Sequence, residues 1–249
     1  GTPKMAAGTQ GQWSLPDGQQ CMRLLQISSE GGLLPKAATR DSIQVWPAKR
    51  RELIVDFSVT SDGQPTYDGQ VFYLCNTYQM VNGRKRTEAM ITHDENGLLL
   101  PAPIPNPDFE PGFCVPMVKV IIDGNDRPVD NSLIPTGLRP NPVIDTRKLN
   151  QLPTRTFTLM RSGAMGGETE WLINGLQFEP GADLAFPKRG QPEVWTIRNG
   201  GGGWVHPFHL HMEEHRTVMR NGKDTSVTPD PGHPDDIARE DLVALDPSE

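Results

Sequence analysis

The apolar positions of the chain fall in short alternating runs, not in helical stripes. Residues 51–58 place Leu53, Val55 and Phe57 on one face of an extended segment. Residues 71–75 form a continuous apolar run, which predicts a strand buried on both sides. Residues 118–123 alternate for three periods, and residues 156–160 alternate again. Residues 171–174 run into Asn174-Gly175, a dipeptide suited to a tight hairpin. Residues 193–198 form another run, and residues 216–220 end at a second such dipeptide, Asn221-Gly222. No segment keeps a 3.6-residue apolar stripe for the roughly 10 to 12 residues of a secure helix. The pattern predicts an all-β protein.

The pattern disappears between Gly124 and Pro153, where Pro128, Pro135, Pro140, Pro142 and Pro153 would interrupt any ladder. This stretch is the expected linker. The organisation read from the sequence is a unit over 1–125, a proline-rich linker over 126–153 and a unit over 154–249. Each unit is of the size of a β-sandwich, about 100 residues. Residues 1–20 are polar and rich in Gly and Gln, as expected of a frayed end. Composition agrees: 25 glycines and 24 prolines suit a loop-rich β protein. The 24 Lys and Arg against 31 Asp and Glu give a net charge of -7, which argues against a nucleic-acid binder. No apolar run reaches the roughly 18 residues of a membrane helix and no leader peptide is read, so a soluble mature product is expected.

Cys21, Cys75 and Cys114 are too few for a disulfide scaffold and match no zinc-knuckle spacing. A shielded thiol at each is the simplest reading, with a Cys75–Cys114 bridge open in an oxidising compartment. The histidines are more informative. His93 and His233 stand alone, whereas His206, His209, His211 and His215 fall within ten residues. On a strand, His209 and His211 share a face, about 6.6 Å apart along the chain, while His206 has opposite parity. The spacing therefore offers imidazoles to two separate sites. Neutral imidazole suits Cu, Zn, Fe and Ni, and a histidine pair does not choose among them. A lone histidine is more often a hydrogen-bonded structural residue. Three within six positions, behind the glycine run 200–203, favour ligands.

Two families fit this cluster unequally. A cupin would have Gly203 six residues before the HxH, but it then needs a Glu where His215 or Arg216 stands. The cupin reading fails on that carboxylate. His206-Pro207-Phe208-His209-Leu210-His211 resembles, without mismatch, the HPxHxH motif of the multicopper oxidases, the laccase and bilirubin-oxidase-like enzymes built from cupredoxin domains. Residues 26–34, QISSEGGLL, resemble a middle-domain stretch of that family; residues 47–57, PAKRRELIVDF, resemble its following strand; and residues 171–175, WLING, resemble the early hairpin of its last domain. The resemblance runs from about Leu24 onward.

It implies cupredoxin-like Greek-key β-sandwiches: part of a middle domain and most of a final one. It further implies copper in type 1, type 2 and paired type 3 centres, with His206 at the type 1 copper, His209 at the type 2 copper and His211 at a type 3 copper. The implied reaction couples oxidation of a small phenolic, amine or metal-ion donor to reduction of O2. Departures are clear. The family's HCH motif and its first-domain HxH and HWHG-like motifs are not found, so the chain reads as an internal segment, inactive alone, whose partners are the remaining segments of the oxidase, on the same or separate chains. The alternative is a non-catalytic cupredoxin-like copper-binding or copper-tolerance protein. The family also implies a periplasmic or secreted protein.

Met212-Glu213-Glu214-His215 is an unusually polar continuation. Glu213 and Glu214 are candidates for a proton relay or for orienting a ligand imidazole. His215 would share the face of His209 and His211 if the strand ran on unbulged. The acidic loop 230–236 is expected to be a solvated turn, and His93 a surface loop residue.

Overall fold

A computed structural model describes residues 21–76, 115–124, 130–162, 170–200, 204–230, 233–247 and 249, and four short strands. Those four are β1 (Lys4–Met5) with β2 (Trp13–Ser14), and β7 (Met80–Val81) with β8 (Arg84–Lys85), each an antiparallel pair. Of the sequence expectations, His93, Cys114 and most of the glycine run 200–203 lie outside the described residues, and so does any Cys75–Cys114 bridge.

The first half is built on β3 (Leu24–Ser29), which pairs antiparallel with β4 (Gly32–Arg40) on one side and β5 (Glu52–Ile54) on the other. The register shifts between Gln26 and Ser28, a bulge that re-aims the strand end. The strand expected over 51–58 is thus three residues long, and a turn follows at Phe57 and Ser58, where Ser58 donates from its amide and its hydroxyl to the Asp56 carboxylate. β6 (Val71–Asn76) pairs antiparallel with β9 (Val115–Ile121). The expectation that 71–75 is buried on both sides is overturned. Among the described residues Val71 is 36% and Leu74 48% exposed, one on each face of a two-stranded ribbon.

Residues 130–145 run without a ladder to a 3-10 turn at Thr146–Gln151, capped by the Asp145 carboxylate on the Arg147 amide. Strands resume with β10 (Thr154–Ser162). It lies between β11 (Glu170–Ile173), antiparallel, and β12 (Val194–Asn199), parallel. Asn174 (φ 53°) and Gly175 (φ 79°) turn the chain after β11, with the Leu176 amide donating to the Ile173 carbonyl at 3.0 Å. Asn221 (φ 50°) and Gly222 (φ 77°) do the same between β14 (Met219–Arg220) and β15 (Lys223–Asp224). Both Asn-Gly dipeptides supply the left-handed pair that a tight hairpin needs.

β13 (His206–His209) pairs antiparallel with β16 (Leu242–Leu245), all four residues of which are buried. Trp46 from the first half packs with Val205, Leu242 and Ala244, so the best-buried apolar cluster joins the two halves. Complete burial of Leu242 contributes about 2 kcal/mol.

Beside that cluster lies a buried ion-pair network. The Lys49 ammonium meets Glu240 at 2.7 Å and Glu30 at 3.4 Å. Arg51 meets Glu30, Glu240 (2.9 Å) and Asp235 (3.0 Å), and Arg40 meets Asp235 at 2.9 Å. The acidic loop expected to be solvated is instead partly interior. Asp236 is 3% exposed and accepts a two-pronged bond from Arg220 at 2.7 and 2.9 Å. Its carboxylates are balanced by arginines that lie far off in sequence, so the turn-forming composition alone gave the wrong environment; Pro231 and Gly232 of this loop lie outside the described residues. Gly31 allows the approach of the halves: a Cβ there would stand 2.1 Å from the Arg239 carbonyl oxygen.

Candidate metal centre

β13 holds its histidines in place through β16. The register sets His206 opposite Leu245 and His209 opposite Leu242. Because three positions separate them on the strand, the two rings leave opposite faces. His206 packs edge-on against Trp171 of β11, centroids 5.0 Å apart at 82°. Trp171 in turn meets Trp204 edge-on at 5.6 Å, and the Arg161 guanidinium lies 5.1 Å from the Trp204 ring and 5.7 Å from that of Trp171. The His206 Nε2 is buried and finds no hydrogen-bond partner among the described residues. Burial lowers the His206 pKa, which keeps the imidazole neutral.

His209 and His211 come together on the other side, ring centroids 4.7 Å apart. The strand ends at His209, so this is not the simple alternation of a continuing strand. His211 lies in the turn that follows, exposed, and Met212 (φ 69°) bends the chain away. The ladder resumes only at His215, which exchanges backbone bonds with Glu240 at 2.7 and 3.0 Å.

The carboxylate against His209 is Asp241, a residue the sequence reading did not single out. The Asp241 carbonyl accepts from the Leu210 amide at 2.8 Å and stands 3.0 Å from His209 Nδ1; the Asp241 Oδ1 is 3.2 Å from the same nitrogen. A carbonyl only accepts, so Nδ1 is the donor in this contact. Arg50 grips both oxygens of Asp241, at 3.1 and 2.6 Å. Burial pushes the Asp241 carboxyl up, but the hydrogen bonds and charge of Arg50 outweigh this and hold it below the usual carboxylate value. No local signal marked Asp241, because its partner Arg50 lies 191 positions away.

Glu213 is exposed, and Glu214 faces Arg239 at 3.5 Å and Arg139 at 4.0 Å. His215 is set deeper than its polar surroundings suggested. Both of its ring nitrogens are buried with no partner among the described residues, and burial, with the nearby Lys49 charge, pushes its pKa down to about 4. His233 places Nε2 3.4 Å from Asp246. Among the described residues no three His, Cys, Asp or Glu side chains converge to hold a metal ion.

The donor chemistry nevertheless fits copper. The imidazole of His206, and that of His209 held at Nδ1 by the Asp241 carbonyl, are donors that such an ion accepts. The chain is nearly all-β, a cupredoxin-like fold. Comparison with known proteins agrees. The multicopper oxidase family model matches residues 148–249. The bilirubin oxidase of Albifimbria verrucaria is 28% identical over 208 residues, covering 81% of this chain and 29% of that enzyme. A laccase of Bacillus stratosphericus is 28% identical over 208 residues, covering 82% and 33%. Among solved structures, the multicopper oxidase of Pediococcus acidilactici superposes with a TM-score of 0.57 at 22% identity, over 94% of this chain and 37% of that one. McoA, a multicopper oxidase of the hyperthermophile Aquifex aeolicus, solved as its 2F4 variant, gives 0.57 at 22% identity, over 95% and 44%. The second half of the chain, residues 148–249, thus matches the multicopper oxidase family, and the chain spans about a third of the length of the curated relatives it matches.

Proposed function

We propose that this chain is a segment of a copper-dependent oxidase that couples one-electron oxidation of a phenolic, amine or metal-ion donor to four-electron reduction of O2 to water. The observation that carries the reading is the division of the imidazoles: His206 lies against Trp171 on one face of β13, and the His209 and His211 rings lie together off the other. His206 is assigned to a type 1 copper, His209 to a type 2 copper and His211 to one of the paired type 3 coppers. Bound copper would supply reversible one-electron storage at the first site and binding of O2 at the others. The chain's own residues orient these ligands. Trp171 fixes the His206 ring by its edge, and Asp241 fixes the His209 tautomer. Glu213 and Glu214, just after the His211–Met212 turn, are assigned to proton delivery or ligand orientation.

The organisation proposed is a middle cupredoxin-like unit over 1–125, a linker over 126–153 and a ligand-bearing unit over 154–249. The remaining copper ligands would come from other segments of the oxidase, on this polypeptide or another, and the 249 residues alone would be inactive. Export to a periplasmic or extracellular compartment goes with the family. Among the described residues no helix is long and apolar enough to cross a membrane.

The test is a pair of substitutions in the copper-loaded oxidase completed by its remaining segments, followed by copper analysis, the blue thiolate-to-copper band and O2 consumption. His206→Ala should remove the blue band and electron entry while leaving the other coppers bound. His209→Ala should deplete those coppers and stop O2 consumption, yet leave a centre the donor still reduces. Equal loss of all copper from both variants would sink the division.

A further inference from the structure

Three consecutive basic residues of the first half grip three consecutive residues of the last segment. The Lys49 ammonium donates to the Leu242 carbonyl at 3.0 Å and to Glu240 at 2.7 Å. Arg50 donates through both terminal nitrogens to the two oxygens of Asp241. Arg51 donates to Glu240 at 2.9 Å. The loop can present the triplet this way because Ala48 adopts φ 69°, a strained value for a residue with a Cβ, with the Lys49 amide closing back on the Trp46 carbonyl at 2.8 Å. The gripped residues are those that hold His209: Leu242 is its partner across the ladder, and Asp241 offers both its carbonyl and its carboxylate to Nδ1.

We infer that Lys49-Arg50-Arg51 is a positioning clamp through which the first half of the chain sets the orientation and tautomer of the His209 imidazole in the second, with Arg50 as its specific element acting through Asp241. The inference rests on the reading of His209 as a copper ligand, and none of the three basic residues touches the metal itself. The physical reason singles out Arg50. A carboxylate held at one oxygen can swing about its χ angles, whereas a guanidinium fork fixes both oxygens and so the direction from which the carboxylate faces Nδ1. A lysine delivers the same charge as a point and cannot reproduce that constraint. Lys49 and Arg51 seat the backbone of residues 240–242, and Arg50 sets the side chain between them.

The experiment uses Arg50→Gln and Arg50→Lys, since the Arg50 side chain is 54% exposed and its replacement spares the fold; circular dichroism checks this. Nitrogen-15 NMR of the metal-free protein reports which ring nitrogen of His209 carries the proton. Titration with Cu(II), followed by electron paramagnetic resonance, reports affinity at that histidine, with His209→Ala marking its signal. In the parent protein the proton should sit on Nδ1 alone. Both Arg50 variants should show mixed tautomers and a roughly tenfold loss of Cu(II) affinity at His209, while Arg147→Gln, in an exposed pair with Asp145, changes neither. Parent-like tautomer and affinity in both variants overturn the clamp, and so does full rescue by lysine, which would reduce Arg50 to a charge. If His209→Ala leaves the Cu(II) titration unchanged, the copper reading itself fails and the clamp falls with it, an outcome distinct from a clamp failure at a working ligand.

Discussion

Replacing Arg51 by Met should cost more than any surface substitution in this chain. The Arg51 side chain is 1% exposed, and its partners Glu30 and Glu240 are 0% and 3% exposed. The methionine fills comparable volume, so the loss is electrostatic: two interior carboxylates keep Lys49 as their remaining cation. Removing one partner of a buried ion pair costs about 3–5 kcal/mol, and Lys49 places the expected loss near 3 kcal/mol. For a chain of this length each kcal/mol is worth roughly 2–4 °C, so the unfolding midpoint should fall by about 10 °C. Thermal and urea unfolding followed by circular dichroism at pH 7 measure it. A double-mutant cycle sharpens the reasoning: Arg51→Met with Glu30→Gln should be more stable than Arg51→Met alone, because one stranded charge has gone. A loss no greater than that of Arg147→Ala, whose side chain is 88% exposed, would refute the claim that this network is interior and coupled.

Three further outcomes follow from the same contacts. Burial pushes the Glu240 carboxyl from 4.5 up to about 7 against the pull of Lys49 and Arg51; a folded value above the unfolded one means its stabilisation is full below about pH 4.5 and is lost as pH rises through 7. Denaturant midpoints across that range should therefore fall more steeply in the parent than in Glu240→Gln, by up to about 3 kcal/mol, and parallel curves would contradict the assignment. Gly31→Ala should destabilise by about 1–3 kcal/mol, because its Cβ would meet the Arg239 carbonyl oxygen at 2.1 Å, and an unchanged melting temperature would show that the halves do not approach there. Gly222→Ala, at φ 77° with open space around it, should cost only the backbone strain, about 1 kcal/mol in urea unfolding.

Much was legible along the chain because it rests on local rules. Alternation at residues 156–160 and the runs at 171–174 and 193–198 mark β10, β11 and β12, since β-forming residues in short runs bounded by turn residues favour strands. Asn174-Gly175 and Asn221-Gly222 marked their turns because few residues tolerate the left-handed conformation twice in succession. The spacing of His206, His209 and His211 gave one imidazole opposite parity to the other two; in the structure His206 lies against Trp171, and the rings of His209 and His211 lie together at a strand end and not along a continuing strand.

What the tertiary structure decided is everything that depends on partners remote in sequence. Among the described residues, the exposure of Val71 and Leu74 depends on what packs over the β6–β9 ribbon, which no run of apolar letters reveals. The interior place of Asp236 follows from Arg220, and the role of Asp241 from Arg50, 191 positions away. A carboxylate looks the same in a solvated turn and against a ligand imidazole; its neighbours in space set its charge and direction. The sequence by itself determined the strand pattern, the turns and the histidine division, because each is encoded within a few residues. Only the folding of the first half onto residues 235–242 decided what surrounds His209, because burial and long-range ion pairing are properties of the packed chain.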